Sequence, residues 1–186
     1  MPETFPNVGL QSLDMSLKRT VAVTQSPFTY ESQTFQHNGA IWQATITLPP
    51  LTHAQSRAVE AFIAKLKGRE GTFYFGNPIM TSSLSSNTVS SAAIRAESFT
   101  LGSGTDSVPA GTQFQLNNYL YITTEDKAAS ATTLNFQPGL RVAVSNSQTI
   151  TYNLPKSTWR LMSNEVSFSI NQASIYGFSF ACEEAL

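Results

Sequence analysis

Prolines 49 and 50 separate two periodicities, and that junction restricts the fold more tightly than any other in the chain. Before it, residues 41–48 alternate, with Trp42, Ala44, Ile46 and Leu48 on one face and Gln43, Thr45 and Thr47 on the other. Successive side chains of a strand point to opposite faces, so this is a half-buried β-strand. The prolines end it, because neither supplies the N–H that a ladder requires. After them Val59, Phe62, Ile63 and Leu66 recur at i, i+3, i+4 and i+7, one apolar stripe of a helix over about residues 53–67. Thr52 reads as its N-cap, with a side-chain oxygen able to accept from the first turn. Gly68, free to adopt the left-handed conformation, closes it. Arg57, Glu60, Lys65 and Lys67 cover much of the outer face. Glu70-Gly71 then turns the chain into an aromatic strand at 72–75.

No other segment reads as a helix of this quality. Residues 1–10 hold two prolines and a glycine and read as an arm or edge segment, frayed or tied down by a partner. Residues 11–18 and 19–24 alternate as strands, 28–35 gives a polar-aromatic strand, and Gln36-His37-Asn38-Gly39 reads as a hairpin turn. Residues 81–91 (TSSLSSNTVSS) are small and polar, which predicts a linker or exposed loop. Short strands follow at 97–101, 112–116, 119–124, 132–136 and 141–144, with a glycine- and proline-marked turn region at 103–111 and a tight turn at Asn117-Asn118. Longer alternation returns at 159–162, 166–170 and 175–182, where Tyr176, Phe178, Phe180 and Cys182 share a face. Neither half alone has enough strands to bury both faces of a sheet. The expected organisation is a mainly β chain. Residues 1–80 and 151–186 form an antiparallel β-sandwich body with the one helix, and 81–150 form an inserted, small β-barrel-like unit behind its Ser/Thr-rich linker.

Charge restricts the functional classes. Charged residues make up 12% of the chain, about half the usual share of roughly 25%. Strand-and-turn surfaces rich in Ser, Thr, Asn and Gln produce such a composition, and so does a subunit largely covered by neighbours. A net charge of −1 and a pI near 6.1 give no sign of nucleic-acid binding by bulk charge. Cys182 is the only cysteine, which excludes an internal disulfide and a multi-cysteine zinc site. No N-terminal apolar run resembles a signal peptide, and no run of about 18 apolar residues could span a bilayer. The expectation is a protein kept in a cytoplasm-like compartment or in a particle assembled there.

Catalytic chemistry finds little to build on. His37 falls in the expected turn and His53 in the first turn of the helix, neither with a second His or a Cys at ligand spacing. There is no G-x-S-x-G elbow, and Gly102-x-Gly104 lacks the strand-then-helix context of a phosphate loop. Glu125-Asp126 and Glu183-Glu184 could each offer carboxylates to a cation, but paired acids near a turn or a terminus are usually only solvated. Cys182, on the apolar face of a strand, reads as a buried hydrophobe. Trp42, Tyr74, Trp159 and Tyr176 could line a sugar-binding face; their positions on alternating strands favour the core. The reading assigns no catalytic, cofactor or metal residue and expects no enzyme.

The order of motifs is more specific than any single one. A Trp-containing strand ends at Pro-Pro, and AFIAKLKG closes the helix. GTFYFGNP, AGTQFQLNNYLYIT, LNFQPGLR, PKSTWRL and FSFACEEA follow in turn. This series, from about residue 15 to the end, resembles distal tail proteins of long-tailed bacteriophages, particularly phages and prophages of Gram-negative bacteria. The resemblance implies a structural virion protein of the tail tip, assembled in the host cytoplasm, whose β-sandwich body forms a hexameric ring. That ring joins the tail tube protein to the baseplate hub protein. It also implies an outward-facing additional domain, here around residues 97–144, that can dock receptor-binding parts. Tape measure protein and tail fibres are further possible partners, DNA would pass through the lumen without specific binding, and no membrane is involved. Arg57, Lys65 and Lys67 would then sit at subunit or ring contacts. Two alternatives belong to other classes: a carbohydrate-binding β module, and another connector or adaptor ring of the same particle.

Overall fold

The computed structural model describes residues 1–102, 106–170 and 176–186. The chain is mainly β, with several antiparallel sheets and, among the described residues, one helix. The body is a seven-stranded sheet consistent with the expected sandwich. Its strands are β1 (Glu3–Thr4), β2 (Ser12–Gln25), β3 (Ser32–Thr47), β4 (Thr72–Gly76), β11 (Lys156–Leu161), β12 (Phe168–Ile170) and β13 (Tyr176–Glu184). The order is β1-β4-β11-β13-β3-β2, with β12 on β13. Its pairings are antiparallel except β1 on β4.

Register explains the core. Leu17 lies opposite Trp42, Met15 opposite Ala44 and Leu13 opposite Ile46. Ala44 and Ile46 in turn face Cys182 and Phe180 across β13, Cys182 faces Leu161, and Trp159 faces Phe73. Period-two alternation thus aligns one apolar face across five strands. Helix α1 (His53–Leu66) lays Val59, Phe62 and Leu66 on that face. Thr52 is the N-cap, as expected, in a capping box with Gln55. Gln55 Oε1 accepts from both the backbone N–H and the hydroxyl of Thr52, so the first turn is tied back by the glutamine. Lys67, with φ near 50°, and Gly68, with φ near 69°, then turn the chain out of the helix. The N-terminal segment is tied to its own chain: β1 pairs β4, and Phe5 contacts Phe62 and Phe75 with ring centroids 5.5 and 5.1 Å apart.

The second unit has β6 (Ser98–Thr100), β7 (Gln113–Leu116), β8 (Tyr119–Thr123) and β9 (Thr133–Gln137) in a sheet of order β6-β9-β8-β7. A two-stranded ribbon of β5 (Asn87–Val89) and β10 (Gln148–Ile150) completes it. Among the described residues no closed barrel forms, but single bridges from Gln115 to Thr151 and from Val89 to Leu101 fasten the ribbon to both edges of that sheet. Phe99, Phe114, Tyr121, Leu134, Phe136 and Tyr152 fill a separate core. Between the units the β7–β8 hairpin leans on the body. Leu120 belongs to the body's core cluster, and its carbonyl accepts from Trp42 Nε1 at 2.9 Å.

Three expectations are corrected. Residues 36–39 do not turn; they lie inside β3, where Arg19 pairs Ala40 but Val21 pairs Gln36, so three residues of β3 oppose one of β2. The Asn-Gly signal is absorbed as a bulge. The chain reverses instead at 26–31, where Tyr30 N–H donates to Ser26 O and Ser26 N–H to Glu31 O. Segment 81–91 is not purely a loop: it contains β5, with Asn87 and Val89 buried against the second core. Residues 141–144 form no strand, only a bridge from Val144 to Ala92. The turn region 103–111 lies partly outside the described residues, as do Ile175 and Gly104.

Candidate assembly surface

The β2–β3 hairpin outruns the rest of the body. Up to Leu17 its inward side chains lie against the core. From 18 to 39 every residue except Ser26 is exposed. At about 3.3 Å per residue, the stretch of β2 beyond Arg19 projects roughly 20 Å. Along this arm Val21, Val23, Phe28, Tyr30 and Phe35 are open to solvent, Phe28 at 91% and Tyr30 at 75%. Between residues 20 and 39 the one formally charged side chain is Glu31. Protruding edges are ordinarily blunted by lysines, prolines or short length. This one is 14 residues long and is the last strand of its sheet. Its outer row of backbone donors and acceptors is unpaired within the sheet order, the arrangement that strand addition from another chain uses.

At the arm's root a cleft of about 270 Å³ separates it from the second unit, lined by Arg19, His37, Arg95, Tyr119, Arg141 and Leu186. Arg141 is one of its less exposed lining side chains. Its guanidinium donates to Glu184 Oε2 at 2.7 Å, and Glu184 is fully buried. Burial raises the Glu184 carboxyl above the ordinary value, against the lowering pull of Arg141. The Glu183-Glu184 pair is therefore not simply solvated, which corrects the sequence expectation. Glu183 pairs with Arg69 at 3.3 Å on the surface, and Glu184 continues the inward face of Phe178, Phe180 and Cys182. That signal was present in the alternation, two residues beyond its apolar end.

The other candidates scatter. Glu125 accepts from Asn135, and Asp126 from the Ala110 N–H, so both acids serve turns. His53 Nδ1 lies 3.0 Å from the Tyr176 hydroxyl, while His37 sits edge-on to Phe35 on the arm. Cys182 is buried, and its thiol is pushed up to about 12 by desolvation. Trp42 and Trp159 are core residues whose N–H groups bond Leu120 O and Phe75 O, so neither ring offers a face to a sugar. On the helix, Arg57, Lys65 and Lys67 are exposed, and Lys65 lies 3.8 Å from Glu3. Among the described residues no group of three His, Cys, Asp or Glu could hold a metal ion, and no helix is long and apolar enough to cross a membrane.

No protein-family model matches the chain, and no curated protein matches it.

Proposed function

We propose that this chain is a structural protein of a phage tail tip, working by assembly rather than catalysis, in a ring that joins the tail tube to the baseplate hub. The observation that carries the proposal is the arm: a long, almost uncharged hairpin with exposed aromatics and a free sheet edge. A solvated monomer has no use for such a surface, because exposed apolar edge strands invite uncontrolled pairing. In a closed ring the same edge is covered by the next copy. The resemblance of its motif order to that of distal tail proteins points the same way and supplies the expected hexameric count. In this reading the second unit faces outward, where fibres or receptor-binding parts would attach. Tape measure protein and DNA would cross the lumen, and assembly would take place in the host cytoplasm. An obligate contact of this kind buries on the order of 2,000 Å² or more.

Light scattering across a concentration series tests the reading at 20.2 kDa per chain. A mass that climbs to and stops at six chains supports it. A strict monomer up to about millimolar protein, where even a weak association of about 4 kcal/mol would register, overturns it.

A further inference from the structure

A head-to-tail ring needs two different patches on each subunit, one complementary to the other. The arm supplies one of them. The other edge of the body sheet, opposite β2, carries an apolar groove. It runs between the N-terminal segment and β4, is about 620 Å³ in volume, and is lined by Phe5, Leu10, Tyr74, Pro78, Asn118 and Lys156 among others. Its size is within the range that takes side-chain-sized apolar groups.

Charge matches the two patches. Lys156 is the groove's only charged lining residue, and Glu31 is the only formally charged residue of the arm beyond Arg19. Among the described residues neither has an ion-pair partner in its own chain. The aromatics that precede Glu31, Phe28 and Tyr30, are the most exposed rings of the arm. The groove is walled by rings and prolines that would cover them. Aromatic anchors seated in a pocket, with a charge pair at the rim, are the usual anatomy of a protein contact.

We propose that the tip of the arm, with Phe28, Tyr30 and Glu31, seats in this groove of a second copy of the chain, beside Lys156. This rests on the ring reading and fixes which surface meets which. Opposite edges of one sheet then join in the same sense at every contact, and the subunits follow one another around the ring.

Two single-substitution variants test it, Thr29→Cys at the tip and Asn7→Cys on the groove. Cys182 is buried and its raised thiol pKa keeps it out of the reaction. Mixed under mild oxidation, the two variants are expected to give disulfide-linked dimers joining the tip of one copy to the groove of the other. Mass spectrometry identifies the linked peptides, and each variant alone gives none. Glu31→Lys is expected to raise the midpoint concentration of assembly by up to about fivefold, the range of an exposed ion pair. Adding Lys156→Glu restores it. Assembly in light scattering without the mixed cross-link, or with tip-to-tip links instead, overturns the seating and leaves the ring standing. A strict monomer overturns both.

Discussion

Glu184 shows how one buried charge ties two units together. Its partner, Arg141, belongs to the second unit, and Arg141 N–H also donates to the Tyr121 hydroxyl at 3.2 Å. Removing a buried carboxylate's counter-charge typically costs about 3–5 kcal/mol, because the remaining charge is desolvated without compensation. Arg141→Met is therefore expected to destabilise the chain by about that amount at pH 7 in denaturant titration. The pH dependence has a definite sign. Burial raises the folded-state pKa of Glu184 above its ordinary 4.5. The stability linked to that group is thus complete below 4.5 and is lost as pH rises through the folded value. Acidification from pH 7 toward 4.5 should shrink the Arg141→Met deficit, since the stranded carboxylate takes up a proton. Arg141→Met with Glu184→Gln should recover most of the loss at pH 7 and flatten the dependence. A deficit that grows on acidification would contradict this account of the pair.

At the scale of elements, the junction between α1 and β4 is tighter than its sequence suggests. Gly71 N–H donates to Leu66 O at 2.8 Å, and a Cβ on Gly71 would fall 2.6 Å from that oxygen and 2.7 Å from Leu66 Cα. Both obstacles are backbone, so they cannot rotate away. Gly71→Ala is expected to cost about 1–3 kcal/mol, as overpacking does, read as a lower denaturant midpoint with an unchanged slope. A neutral result would mean that the turn relaxes.

Elements with a long, uninterrupted period were legible in the sequence. The Trp42 strand, the helix and the C-terminal strand all follow patterns that burial itself imposes. The Asn117-Asn118 turn was legible for a local reason, as both residues take the left-handed conformation, with φ of 53° and 64°. The 36–39 bulge was not, because Asn-Gly serves a bulge as well as a turn, and only the pairing partner decides between them. Strand β5 was hidden for another reason. Asn87 and Thr88 have no apolar period, and Asn87 is buried by its bond from Nδ2 to the Tyr152 hydroxyl, 65 residues away. The arm's composition was visible, but nothing local says that the body stops beneath it.

For the whole molecule, the arrangement predicts shared unfolding. Besides the Arg141–Glu184 pair, the main-chain N–H of Thr158 donates to Asn118 O, and Lys156 N–H donates to Gln115 Oε1. Both acceptors lie on the β7–β8 hairpin, and both donors on β11 of the body. Tryptophan emission reports on the body and, through Trp42, on its seam with the β7–β8 hairpin, since Trp42 and Trp159 both lie in the body's core cluster. Near-ultraviolet dichroism also sees Tyr121 and Tyr152 of the second unit. The two signals should trace one coincident thermal transition. Two separated transitions would mean that each core melts by itself.

The burial of Leu120 in the body's cluster also bears on how such a chain can diversify. A segment spliced between residues 81 and 150 cannot be treated as an exchangeable cassette. Excising it would leave a void beside Trp42 and strand the indole N–H that Leu120 O now receives. The exposed loop at 128–131 can be lengthened or shortened, whereas the β5–β10 ribbon has to stay, since Val89 and Ile150 are buried in the second core. The β7–β8 hairpin is the graft union, and any substitute domain has to reproduce it before it can bring a new surface to the outside.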